Sequence, residues 1–254
     1  MNKGPVSREG DRDIPWDGAA QHWEQAYRWL CQRRQHAPVN ADIWDLRFRW
    51  PQQQVRWLNR VLAGEYRLSP MQVYRRRHRC WVQWSAHDAL VLKWVAMCIE
   101  AHLPRPRDCH HLRGHGGVSG STQQVSSAWR NGEWRYVYRT DIRGYYRHIL
   151  KPQVAGQLQW HVHNRVCRDL CLQWLHYSIE DGGEIHTPEK GICRGSALSP
   201  LIGGSLLRHV DHYFGGREDL FYARYMAGGV ICPRRAPDSA EGIREPSGTY
   251  RAAL

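Results

Sequence analysis

One carboxylate stands out by its placement. Between Tyr136 and Ile149, Tyr136, Tyr138 and Thr140 alternate with Val137 and Arg139 at the two-residue period of a half-buried strand, and Asp141 falls where that strand should end. A carboxylate at a strand terminus is well placed to hold a divalent metal. It is equally suited to cap the helix that Ile142, Tyr145, Tyr146 and Ile149 announce by their spacing. Two other groupings could ligate zinc: Cys109 with His110, His111 and His115, and Cys167 with Cys171 on one helical face. Neither fits a four-ligand template, and the eight cysteines include no Cys-x-x-Cys pair, so buried thiols are the default reading. Arg113-Gly-His-Gly-Gly-Val offers unhindered glycine amides to an anion, but it lacks the Lys-Ser/Thr ending of a phosphate loop and reads better as a flexible turn.

Two further stretches follow Asp141 in order. Gly191-Ile-Cys-Arg-Gly-Ser-Ala-Leu-Ser-Pro sets Gly191, Gly195, Ser199 and Pro200 in a Gly-x-x-x-Gly-x-x-x-Ser-Pro pattern, and Phe221-Tyr-Ala-Arg-Tyr-Met continues downstream as a second strand. Read with Asp141-Ile-Arg-Gly-Tyr-Tyr, they resemble the palm of bacterial reverse transcriptases, the group that includes group II intron, retron-type and phage-defence enzymes. The resemblance implies RNA-directed DNA synthesis, with an RNA template, a DNA primer, dNTP and Mg²⁺. It makes Asp141 the first catalytic acid and metal ligand, and Tyr146 the aromatic beneath the incoming sugar. Arg194, Gly195 and Ser199 become template or nucleotide contacts, with Arg194 where intron-encoded members usually carry Gln. Matching Asp88 to the acid of the family's Arg-Pro-x-x-x-x-x-x-x-Asp pattern assigns Arg79 to the triphosphate, although Cys80 replaces the Pro.

The same resemblance exposes a gap. Family members read Tyr-x-Arg-Tyr-x-Asp-Asp, whereas here Ala227 and Gly228 occupy the acid positions. Two-metal nucleotidyl transfer needs a pair of closely spaced ions, and Mg²⁺ is held by carboxylates together with phosphates and waters. Asp141 alone could hardly fix such a pair, so the chain as written is expected to be a poor polymerase or none. Asp238 and Glu241 are substitutes on paper only, since both lie well past the turn in an unpatterned tail. Three readings stay open: a disabled reverse-transcriptase relative, a basic RNA-binding or regulatory remnant without catalysis, and an unrelated α/β protein with a zinc site.

The elements that would position these residues are legible in outline. Ala19–Gln35 has helical apolar spacing and ends at Pro38. A short helix capped by Asn40 and Asp42 should precede another opened by Trp50-Pro51 and running to about Ala63. Met71–Trp84 reads as a hairpin carrying Arg75, Arg76, Arg77 and Arg79, and Asp88–Leu103 as a buried helix. Pro104–Ser126 reads as a connector, Pro152–Tyr177 as one or two helices, and Pro200 as the start of a helix through Val210. The pattern gives an α+β fold. With the resemblance it becomes right-hand polymerase fingers and a partial palm, a small antiparallel sheet flanked by helices, and no recognisable thumb. The expected segments are an N-terminal arm and helices at 1–65, a fingers-like region at 66–135, a partial palm at 136–231 and an unpatterned tail at 232–254. More than half of the residues from Ala227 onward are Ala, Gly, Pro or Arg, which suits a C-terminally truncated chain ending in a shifted reading frame.

Composition narrows the partner. A formal charge of +12 and a pI near 9.6 suit a polyanion, because Lys and Arg contacts to phosphate supply most non-specific nucleic-acid affinity. Hydrophobic content is 42% and no run approaches the roughly 20 apolar residues of a membrane span, so no membrane is expected. Met1–Asp13 has no apolar core of a signal peptide, from which a cytoplasmic location follows. Most of the 13 tryptophans should pack in the core, leaving a few that could stack on bases.

Overall fold

The structure, a computed structural model, describes residues 16–76, 78–131, 134 and 136–234. The tail beyond 234, with Asp238 and Glu241, lies outside the described residues, as does Arg77. The chain is mixed α/β, with two small sheets among its helices. It divides into two compact units that are discontinuous in sequence. Unit 1 combines Met1–Leu103 with Ile149–Ser199; unit 2 combines Pro104–His148 with Pro200–Leu254. The segment 136–231 therefore contributes to both.

Unit 1 is built on α1 (Trp16–Arg33), α2 (Asp42–Leu62) and α3 (Ala86–Ile99), with α6 (Lys151–His161) and α7 (Arg165–Leu175). The α1–α2–α3 core is aromatic. Trp50 stacks on Tyr27 at 3.8 Å and on Trp23 at 5.9 Å, and Trp23 meets the edge of Trp94 at 6.4 Å. Helix α2 corrects the expected pair of helices, since it runs unbroken through Pro51. A proline inside a helix costs about 3 kcal/mol. Ile43, Leu46 and Trp50 before it and Leu58 and Val61 after it are all buried on one stripe, and burial at about 1.5–3 kcal/mol per large side chain outweighs that cost. Asn40 and Asp42 do not cap this helix, whose N-cap Ala41 makes no side-chain bond. Asp42 instead accepts from Arg34 and from the Ala86 N–H at the start of α3.

Helix α3 is apolar nearly all round because it is buried nearly all round. Its one buried acid is fully occupied: Asp88 accepts from Tyr66 Oη at 2.9 Å, Ser85 Oγ at 2.6 Å and the Ser69 N–H, while Ser85 caps the helix through the Asp88 N–H. Burial raises the Asp88 carboxyl despite these donors. The sheet of this unit has the order β2-β1-β4-β5, from β1 (Met71–Arg76), β2 (Arg79–Gln83), β4 (Ile179–Asp181) and β5 (Glu184–His186). The hairpin expected over Met71–Trp84 forms as β1–β2, and its sheet becomes mixed because β1 also pairs in parallel with β4. Gly182 and Gly183, both at positive φ, form the two-residue turn of the β4–β5 hairpin.

Unit 2 holds α4 (Gly117–Arg130), β3 (Tyr138–Asp141), the short α5 (Tyr145–His148), α9 (Arg208–Gly215), β6 (Leu220–Tyr225) and β7 (Gly228–Pro233). Helix α8 (Leu198–Leu206) carries the chain into this unit. The helix expected to reach Val210 breaks after Leu206, and α9 takes over at Arg208. The second half of the expected connector is helix α4; its glycines and serines concealed it, and Gly116 in the left-handed region starts it. The antiparallel sheet has the order β3-β7-β6. Leu220, Tyr222 and Ile231 make its buried patch, flanked by Tyr138, Val210 and Phe214. Among the described residues no helix is long and apolar enough to cross a membrane.

Candidate functional site

Strand β3 delivers Asp141 as its last residue, as its alternation requires. Its partner is β7, in a register that sets Thr140 opposite Gly229 and Asp141 opposite Gly228. The Ile142 N–H continues the pairing by donating to the Ala227 carbonyl at 3.3 Å. Asp141, Ala227 and Gly228 thus meet at one end of the three-stranded sheet. Asp141 is exposed there. A Cβ added to Gly228 would stand 3.8 Å from Asp141 Oδ1 and 3.5 Å from its nearest neighbour, the Thr140 carbonyl, both ordinary contacts. The backbone at 228 therefore has room for a side chain aimed beside Asp141, and the chain supplies none. A single exposed carboxylate does not fit a pair of Mg²⁺ ions, and among the described residues no three His, Cys, Asp or Glu side chains gather to hold a metal.

The turn between β6 and β7 is strained and heavily braced. Met226 adopts φ +57°, a left-handed conformation that costs a non-glycine residue about 1–2 kcal/mol. Its N–H donates to His111 Nδ1 at 3.1 Å, and its carbonyl accepts from Arg224 Nη1 at 2.6 Å. With Nδ1 accepting, His111 carries its proton on Nε2 and donates it to the Pro200 carbonyl at 2.9 Å. Burial lowers the His111 pKa and keeps the ring neutral. Arg224 is itself buried: Nε and Nη2 each reach an Asp211 oxygen at 2.6 Å, and Nη2 also donates to the Gly204 carbonyl. Tyr222 Oη donates to the same Asp211 at 2.9 Å. Burial works against the Arg224 charge, but the bonds and charge of Asp211 outweigh it and leave the guanidinium pKa raised. Sequence reasoning missed this network. The available signal was an arginine sharing the inward face of β6 with Leu220 and Tyr222, which demands a buried acid.

Tyr146 is half-buried and packs on α8 with Tyr145. A Cβ on Gly203 would come within 2.8 Å of Tyr146 Cε1, so the glycine is what lets the ring approach the helix. Tyr145 Oη donates to the Gly203 carbonyl at 2.7 Å.

The remaining expected contacts belong to unit 1. Arg79 is exposed at the start of β2, and Arg194 is exposed in the loop before α8. Gly195 is also exposed, at φ +81° with open space around it, which explains the residue type locally. Ser199 is 1% exposed, and its hydroxyl donates inward to the Cys193 carbonyl at 2.5 Å. It closes the loop from inside. The structure thus brings Asp141 together with positions 227 and 228, and places Arg79, Arg194, Gly195 and Ser199 in the other unit.

The Cys/His groupings are occupied by other bonds. His115 Nδ1 meets the Cys109 carbonyl, His110 Nδ1 faces the His115 carbonyl, and His111 is committed to the turn. Cys167 and Cys171 are buried on α7; a hydrogen bond from Cys98 to Cys167, with burial, pushes the Cys98 thiol far up. These are packed thiols.

No family model matches the chain, and no curated protein matches it. Solved structures do. A chain of a partial Cas6-RT-Cas1–Cas2 complex matches with a TM-score of 0.51 at 18% identity, over 85% of this chain and 38% of that one. A Cas6-RT-Cas1–Cas2 complex gives the same TM-score and identity, over 85% of this chain and 24% of the other. Both complexes contain a reverse transcriptase. The chain spans well under two thirds of either match, and at this identity the likeness is one of fold.

Proposed function

We propose that the chain is a reverse transcriptase-like protein that binds an RNA template and DNA primer but does not carry out nucleotidyl transfer as written. In this reading unit 1 corresponds to the fingers and unit 2 carries the palm hairpin. The observation that carries it is the register of Asp141 against Gly228, across from a turn whose bracing is complete while its side chains are Ala and Gly. The scaffold for a carboxylate cluster is intact and the carboxylates are missing. Mg²⁺ and dNTP would be partners of the intact family site; here Asp141 has no second carboxylate beside it at positions 227 and 228. The fold likeness to chains of reverse transcriptase-containing complexes and the charge of +12 support a nucleic-acid partner.

The test is a primer annealed to an RNA template, offered with Mg²⁺ and dNTP. Binding with a steep inverse salt dependence and no extension is the expected result. Extension by the unaltered chain would refute the loss of chemistry, and the absence of any binding would refute the nucleic-acid reading.

A further inference from the structure

The β1–β2 hairpin carries an exposed aromatic pair that nothing in the core explains. Tyr74 and Trp81 sit directly opposite each other in the register, with rings nearly parallel at 15° and centroids 6.0 Å apart. They are 40% and 41% exposed, whereas Trp23, Trp50, Trp84, Trp94 and Trp174 of the same unit are all 5% exposed or less. Alternation puts Arg79, two residues before Trp81, on the same face. Arg79 is exposed and makes no ion pair with a described carboxylate. On the opposite face Arg75 is neutralised by Asp181 in a two-pronged pair. Among the described residues the hairpin thus separates its charges, with Arg75 paired and Arg79 not. Arg34 of the same unit is fixed elsewhere, donating to the Trp84 carbonyl.

We propose that Tyr74 and Trp81 form a base-stacking platform for single-stranded nucleic acid, with Arg79 contacting the adjoining phosphate. This rests on the nucleic-acid reading above and gives it a specific surface. Flat aromatic faces next to an unneutralised cation are what a base and its phosphate require, and stacking is tolerant of sequence because every base has a π-face.

The test uses fluorescence anisotropy with a labelled uridine dodecamer, the same DNA sequence, and a dodecamer of abasic units. Trp81→Ala is expected to weaken binding of both base-bearing oligomers by roughly tenfold and by equal factors, with little change on the abasic one. Trp81→Phe keeps a ring and retains most of the affinity. Arg79→Ala lowers affinity for all three oligomers and reduces the slope of log K against log salt by about 0.7, the value for one phosphate on a single strand. Equal loss on abasic and base-bearing oligomers after Trp81→Ala would overturn the platform, as would a loss confined to RNA or to DNA. Binding by the unaltered chain that is indifferent to Trp81→Ala overturns the platform alone. No binding of any oligomer overturns it together with the reading on which it rests.

Discussion

Removing Asp211 tests how the β6–β7 turn is held. The Asp211 and Arg224 side chains are 1% and 3% exposed, so Asp211→Ala leaves a guanidinium in the interior with two carbonyl acceptors and no counter-charge. It also strips Tyr222 Oη of its acceptor. Breaking one side of a buried pair costs about 3–5 kcal/mol, chiefly because the surviving charge cannot regain its water. Arg217 and Asp219 provide the control in the same unit: their sides are 41% and 61% exposed, and Asp219→Ala should cost about 1 kcal/mol or less. Urea unfolding followed by circular dichroism measures both, read as midpoint shifts at unchanged slope. A double-mutant cycle with Arg224→Ala should return a coupling of about 2–3 kcal/mol. If Asp211→Ala costs no more than Asp219→Ala, the network is not what fixes the turn, and the reasoning fails.

Two further outcomes follow from the same region. Gly203→Ala forces a methyl to within 2.8 Å of the Tyr146 ring and 3.4 Å of the Tyr145 ring, and should destabilise the protein by about 1–3 kcal/mol in the same urea experiment. His111 is held below its ordinary pKa by burial. The unfolded chain therefore binds the proton first, and stability should fall as pH drops from about 6.5 toward the folded pKa. His111→Gln, which can accept from Met226 and donate to Pro200 without titrating, should flatten that part of the urea midpoint-versus-pH curve; an unchanged curve would assign the pH dependence to another group such as His87, which burial also lowers.

What could be read from the sequence was what local periodicity encodes. The strand ending in Asp141, the buried helix α3, the apolar side of α7 and the strand expected over Phe221–Met226, which forms as β6, all follow from spacing of two or about 3.6 residues or from the motif they carry. Long-range and tertiary effects stayed hidden. Parallel pairing of β1 with β4 joins segments separated by five α-helices, α3 to α7, which no local signal predicts. Helix α2 crosses Pro51 because five buried side chains on one stripe outweigh a backbone rule. Helix α4 is rich in Gly and Ser and has no buried residue, so it lacks the apolar signature that would have declared it. At the site, residue types marked Asp141 and the absent acids, but Ser199 looked outward in the motif and is turned inward in the fold. The bracing by His111, Arg224 and Asp211 depends on residues more than a hundred positions apart at its extremes and emerged only from the geometry.

The most direct test of the central claim, that the carboxylate scaffold survives without its carboxylates, is a Mn²⁺ titration followed by electron paramagnetic resonance, with Mn²⁺ standing in for Mg²⁺. The unaltered chain is compared with one carrying Ala227→Asp and Gly228→Asp, and with the latter further changed at Asp141→Asn. The account expects no saturable site in the unaltered chain, a saturable site in the doubly substituted chain, and its loss again when Asp141 is neutralised. A stoichiometric site in the unaltered chain that disappears on Asp141→Asn would contradict it.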